Sequence, residues 1–103
     1  MSITQKRMEV ERTINTIVGL FPIPRECLDY FFQHSGEFRA VLYDTKSWLT
    51  GLFNRKLISV NDLDACIRNQ SELRLWIGAL NRVMDDLNKA ERDAVKDWRT
   101  HVQ

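Results

Sequence analysis

The sequence predicts an all-α fold: a compact helical bundle of five to six helices that ends in a long carboxyl-terminal helix. Two observations carry this. From Ser71 to Gln103 there is no proline and a single glycine, and Leu73, Ile77, Leu80, Met84, Leu87, Ala94 and Trp98 recur at alternating steps of four and three, with Glu91 in the one slot that lacks an apolar residue. That is the heptad spacing of a coiled-coil seam. Elsewhere no stretch alternates apolar and polar residues over more than a few positions, and no Asn-Gly or Asp-Gly turn joins two such stretches, so strand and hairpin signals are missing.

The helices follow in order. Ile3, Val10, Ile14, Ile17, Val18 and Phe21 fall within about 60° of one direction at 100° per residue, while Lys6, Arg7, Glu9 and Arg12 lie outside it, which makes an amphipathic first helix. It should stop near Gly19 to Phe21, because Pro22 disfavours helical geometry in the residue before it. Pro24 suits the first turn of a second helix, to about His34, with Glu26 placed to meet the helix dipole. Cys27, Leu28, Tyr30, Phe31 and Phe32 cover most of its circumference, and Ser35 and Gly36 read as its stop. Phe38, Val41, Leu42, Leu49, Leu52 and Phe53 then share one face, with Trp48 at its margin, and predict a single third helix over Glu37 to Phe53. Ser59 with Asp62 resembles a capping box and opens a short fourth helix carrying Val60, Leu63, Cys66 and Ile67.

Ser71 is placed to cap the long helix, with Glu72 in its first turn. Asn88 to Glu91 also reads as a cap residue followed three positions later by a glutamate, which would begin a sixth helix near 88–91. A break normally resets the apolar phase, yet Met84, Leu87, Glu91, Ala94 and Trp98 keep it, so continuity is the expectation. The chain is thus read as one helical domain over 1–103, with four short helices in 1–70 and the long helix in 71–103.

Composition bounds the function. With 103 residues and 44% apolar content the chain can bury a real core and is not disordered. Eight basic against six acidic residues up to Lys56, and seven against eight beyond it, leave neither part polycationic. A general electrostatic affinity for nucleic acid or an anionic membrane is therefore not expected. No window approaches eighteen unbroken apolar residues and the first eleven lack a secretory pattern, so a cytoplasmic location without membrane contact is the default. Two cysteines in a chain this apolar read as reduced thiols.

Chemistry-bearing patterns are weak. Cys27, His34, Cys66 and His101 are the only soft ligands, and Cys27 and His34 on one helix would stand about 10 Å apart along its axis, too far to share an ion. No metal or cofactor site is expected. Asp85 and Asp86 diverge by about 100° beside Arg82 and Lys89 and read as a solvated face, and the four glycines are isolated. A catalytic assignment is accordingly not made.

Two binding readings remain. Residues 59–84 have the lengths of a helix-turn-helix, but that register puts Asp64, Arg68 and Gln70 where the motif buries apolar side chains, so Arg55, Lys56, Arg74 and Arg82 are kept only as an alternative nucleic-acid patch. The leading expectation is a protein–protein interaction module: a small regulator, adaptor or inhibitor docking a helical face on a larger protein. Tyr43 lies about 140° from its helix stripe, Leu75 about 160° from the seam, and Tyr30 on the least apolar flank of its helix. These three, with Leu87, Glu91 and Trp98 of the seam, are the candidate partner-binding residues. A seam about 45 Å long exceeds what the domain needs for its own core, which predicts a homodimer through the long helix, with Glu91 met by Lys89 or Arg92 of the second copy.

Overall fold

The computed structural model describes residues 2–34 and 36–102, with side chains except at positions 32, 33 and 99–102. Ser35 as a helix stop, the Phe32 side chain and the His101 side chain lie outside the described residues. Six helices follow one another: α1 (Ile3–Leu20), α2 (Arg25–Gln33), α3 (Glu37–Tyr43), α4 (Thr45–Asn54), α5 (Val60–Arg68) and α6 (Gln70–Val102). No strand occurs among the described residues.

Helix ends follow local chemistry. At the start of α1 the Ser2 amide donates to Gln5 Oε1 and the Gln5 amide to Ser2 Oγ, both at 3.1 Å, a capping box. Phe21 turns extended before Pro22 and ends α1 where the sequence places its stop. Arg25 then ties the corner together: its guanidinium reaches Glu11 and Asn15 on α1 and Asp29 one turn on in α2. The Ser59–Asp62 box predicted for α5 is present in both directions, at 3.1 and 3.2 Å.

Two boundaries differ from the sequence expectation. The stretch from Glu37 to Phe53 is two helices rather than one, parted at Asp44. The Asp44 amide closes α3 on Ala40 O at 3.0 Å, and its carboxylate opens α4 by accepting from the Ser47 amide at 3.0 Å. Periodicity could not reveal this break, because Phe38, Val41, Thr45, Leu49 and Leu52 stay in phase across it and all are buried. Thr45, the one buried polar residue among the described side chains, satisfies its hydroxyl on Val41 O at 2.8 Å. The sixth helix thus arises at Asp44 and not at 88–91, where α6 runs unbroken. At the other boundary α6 begins at Gln70, so Ser71 lies inside its first turn instead of capping it; Asn69 alone joins α5 to α6, taking Ala65 O and offering its own carbonyl to Leu73.

The core forms where α1 lies along α6. Val10, Ile14 and Ile17 of α1 are buried, as are Leu73, Ile77, Leu80, Met84 and Leu87 of α6, whereas residues 92–98 are all exposed. Arg7 near the start of α1 pairs with Glu91 at 3.3 Å. The two helices must therefore run antiparallel, with α1 returning from Glu91 toward the amino-terminal end of α6. Beyond Glu91 the long helix extends past the body. At 1.5 Å per residue α6 is about 50 Å long and sets the long axis of a molecule 56 × 21 × 20 Å in extent. The radius of gyration, 15.8 Å, exceeds the roughly 13 Å of a compact domain this size for the same reason.

The heptad seam is consequently covered within the chain from Leu73 to Leu87, while Ala94 and Trp98 stay exposed. Leu87, read as a partner-binding residue, is 7% exposed and belongs to the core. Glu91 meets Arg7 of its own chain rather than a basic residue of a second copy. The pair is largely solvated, so it contributes at most about 1 kcal/mol and marks register more than it holds the helices together. Val18 and Phe53, assigned to apolar faces, are exposed.

Two stability measurements test this account. Leu87→Ala should cost about 2–5 kcal/mol in urea unfolding, while Trp98→Ala should stay within about 0.5 kcal/mol of the parent; equal effects would mean that the seam is not used as described. Lys56 occupies the left-handed region, with φ of 62°, just after α4, where its amide and that of Leu57 return to Phe53 O and Leu52 O. Lys56→Gly relieves that conformation and should stabilise the fold by roughly 1 kcal/mol.

Candidate functional site

The packing of three short helices leaves two adjoining hollows on the body. Phe31 of α2 stacks on Phe38 of α3, with ring centres 4.2 Å apart, and lies 5.9 Å from the Trp48 ring of α4. This aromatic contact draws α2, α3 and α4 around a shared apolar floor. Above it lies a cavity of about 270 Å³, floored by Cys27, Phe31, Val41 and Leu52 and edged by Tyr30 and Trp48. Glu26, Glu37 and Arg55 supply its charges.

A second hollow of about 380 Å³ adjoins it, and Glu37, Val41 and Trp48 line both. Its remaining walls are Ala40, Tyr43, Asp44 and Ser47. Trp48, half-buried, lines the hollow on either side and so joins the two into one groove. The charges are unevenly placed along it. At the Cys27 end Glu26 and Arg55 act on the thiol in opposite directions. No basic residue lines the hollow at the Asp44 end. Neither Glu26 nor Glu37 has an ion-pair partner among the described residues, although each sits in the first turn of its helix, where the dipole favours an acid.

The α3–α4 corner is held rigidly. Arg74 of α6 donates from Nη2 to Leu42 O at 2.9 Å, satisfying a carbonyl at the end of α3. Together with the Asp44 cap, this bond fixes the backbone on both sides of Tyr43. The side chain of Tyr43 itself is 91% exposed, and Leu75, next to Arg74, is 72% exposed. Of the remaining partner-binding candidates, Tyr30 is 46% exposed and stacks on His34 with ring centres 4.0 Å apart. Trp98 is 64% exposed on the projecting part of α6, far along the rod from the groove. The structure thus gathers Tyr30 and Tyr43 about one groove, leaves Leu75 by the Arg74 clamp, withdraws Leu87, and separates Trp98.

The four basic residues of the alternative reading each have a local setting. Arg55 turns its Nε to Gly51 O at 3.4 Å, Arg74 clamps Leu42, and an Arg82 guanidinium nitrogen lies 3.7 Å from where a Cβ on Gly78 would stand. Lys56 occupies the α4–α5 turn.

Glu26, Glu37 and Trp48 were not among the sequence-derived site residues. Their signal was an acid in the first turn of each of two short helices and an indole at a stripe margin, each of which has an ordinary helical explanation. Only the fold of α2 and α3 on α4 brings them together.

Among the described residues no three of His, Cys, Asp and Glu stand close enough to share a metal ion, and no helix is long and apolar enough to cross a membrane. Both thiols are free and buried. Burial pushes the Cys66 thiol up from its ordinary 9.0 to about 11, with Asp62 adding to the effect. Burial likewise raises Cys27, helped by Glu26 and opposed by Arg55. No family model matches the chain, and no characterised protein or solved structure is significantly similar to it.

Because the thiolate is the reactive form, Ellman's reagent at pH 8 should titrate both cysteines slowly in the native protein and at once in urea; prompt native labelling would contradict the burial. A thiol raised in the folded state stabilises fully below its unfolded value and loses that contribution as pH climbs through the folded one. Unfolding free energy should therefore decline from about pH 9 toward 11, and Cys66→Ala should flatten part of that decline.

Proposed function

We propose that the chain is a non-catalytic protein–protein interaction module, a small regulator, adaptor or inhibitor that docks a helical aromatic face on a larger protein. The observation that carries this reading is Tyr43: a large aromatic side chain almost wholly in solvent, on a corner fixed by the Asp44 cap and the Arg74–Leu42 bond. A tyrosine on a loose loop would lose entropy on binding. One on a fixed backbone has only its two side-chain torsions to order and buries a large area with a polar tip, which is why tyrosine recurs among binding hot spots.

The docking face runs from the α2–α4 groove over Tyr43 toward Leu75. Among the described side chains beyond Glu91, those that α6 offers for pairing two copies through apolar contact are Ala94, Val95 and Trp98. This is about one turn of apolar surface, far below the roughly 1,200 Å² of a stable interface. A partner protein at the Tyr43 face is therefore the primary assignment, and α6 pairing is secondary to it. In the alternative nucleic-acid reading Arg55 and Arg74 would act while each also bonds a backbone carbonyl, of Gly51 and Leu42.

A benzophenone photocrosslinker placed at position 43, in the native cell, should give one discrete protein adduct that the same group at position 12 on α1 does not. Purified wild-type chain should compete for that adduct at least tenfold better than Tyr43→Ala, corresponding to about 1.4 kcal/mol or more at a hot spot, while the variant keeps the parent's unfolding midpoint. Identical adducts from both positions, or an adduct to nucleic acid, would remove the proposal.

A further inference from the structure

We infer that the Asp44 end of the groove between α3 and α4 receives an arginine side chain of the partner protein, its guanidinium stacked on Trp48 and charge-paired with Glu37. This deepens the interaction-module reading and rests on it.

The argument is one of complementarity. The hollow at this end is lined by two carboxylates, Glu37 and Asp44, and two aromatic rings, Tyr43 and Trp48, with no basic residue among its walls. Asp44 already accepts from the Ser47 amide, but through one oxygen only. Glu37 has no charge partner among the described residues. A carboxylate beside aromatic faces is poorly matched to an acidic or purely apolar group and well matched to a cation that carries an apolar stem.

Arginine fits better than lysine. Its planar guanidinium lies flat on an indole, is more weakly hydrated than an ammonium, and presents several donors to a carboxylate. At about 380 Å³ the hollow is roomy enough for the whole side chain. Trp48 also has aromatic neighbours in the core, since its ring centre lies 5.9 Å from that of Phe31, which stacks on Phe38. The ring needs little rearrangement to accept a ligand. The other end of the groove differs in one respect: Arg55 stands there with Glu26, so a second guanidinium would meet a like charge.

The contribution of such a contact is discrimination. An exposed cation on an aromatic ring and a solvated ion pair are each weak in isolation, so a free arginine derivative should bind in the millimolar range. A partner offering a neutral or acidic residue at that place would leave Glu37 facing it unpaired or repelled.

The test uses the full chain, labelled with ¹⁵N, and two probes of nearly identical shape: N-acetyl-arginine methylamide and its neutral citrulline counterpart. The arginine probe should produce saturable shifts at the Trp48 indole N–H and at the Ala40 and Ser47 amides, and the citrulline probe should bind at least fivefold more weakly. Glu37→Gln should reduce arginine binding by a similar factor, whereas Asp86→Asn, on α6 and outside the walls of both hollows, should leave it unchanged. Both positions are exposed, and the unfolding midpoint of each variant checks that the fold is intact. Equal binding of the two probes, or an arginine response indifferent to Glu37→Gln, overturns the inference. A protein adduct from position 43 without any arginine response removes this inference and leaves the docking reading standing; an arginine response without a protein adduct removes the docking reading and, with it, the partner as the source of the cation.

Discussion

The antiparallel contact between α1 and residues 73–87 of α6 is the constraint on which the other helices depend. Val10, Ile14 and Ile17 close over Leu73, Ile77, Leu80, Met84 and Leu87, and each fully buried side chain of this kind contributes roughly 1.5–3 kcal/mol against a net domain stability of about 5–15. Without α1 that face of α6 would be bare. With it, α6 becomes a spine long enough to carry α3, α4 and α5, with α2 packed on α1, and still extend beyond them. The pairing of Arg7 with Glu91 marks where the cover ends.

A spine that is covered along one stretch and bare along another divides the surface by chemistry. The body carries the aromatic groove and Tyr43, on short helices of which α4 is capped by Asp44. The projecting part of α6 carries a mixed-charge surface with Val95 and Trp98 among Arg92, Asp93 and Asp97. Arg74 links the two levels of organisation: from the first turns of the spine it closes the end of α3, so the corner presenting Tyr43 is positioned by the same helix that organises the core. Rigid placement of an exposed aromatic ring is what makes that corner useful for recognition.

Much of the local structure was legible in the residues. The Ser59–Asp62 box and the stop before Pro22 follow from chemistry within a few positions of the chain, and the unbroken run of α6 through Glu91 from the apolar phase kept between Met84 and Trp98. The break at Asp44 was not legible in periodicity, because the apolar phase passes through it unaltered, although Asp44 three residues before Ser47 is itself a capping signal. The site was less legible still. Tyr30 and Tyr43 stand out as aromatic residues off their stripes, but Glu37 and Trp48 look like an ordinary first-turn acid and an ordinary stripe margin until α2, α3 and α4 are folded together.

The sequence by itself determined that the chain is helical, that its last third is one continuous helix, and that this helix carries more apolar seam than the short helices would each supply. Only the tertiary structure decided what covers the seam. Heptad spacing specifies that a second helix must lie there, and it is silent on whether that helix comes from another copy or from the same chain. Here α1, joined through the Pro22–Pro24 corner and held at Arg25, lies on the seam intramolecularly, so Leu87 and Glu91 are spent within the fold and the surface left for recognition moves to the aromatic groove.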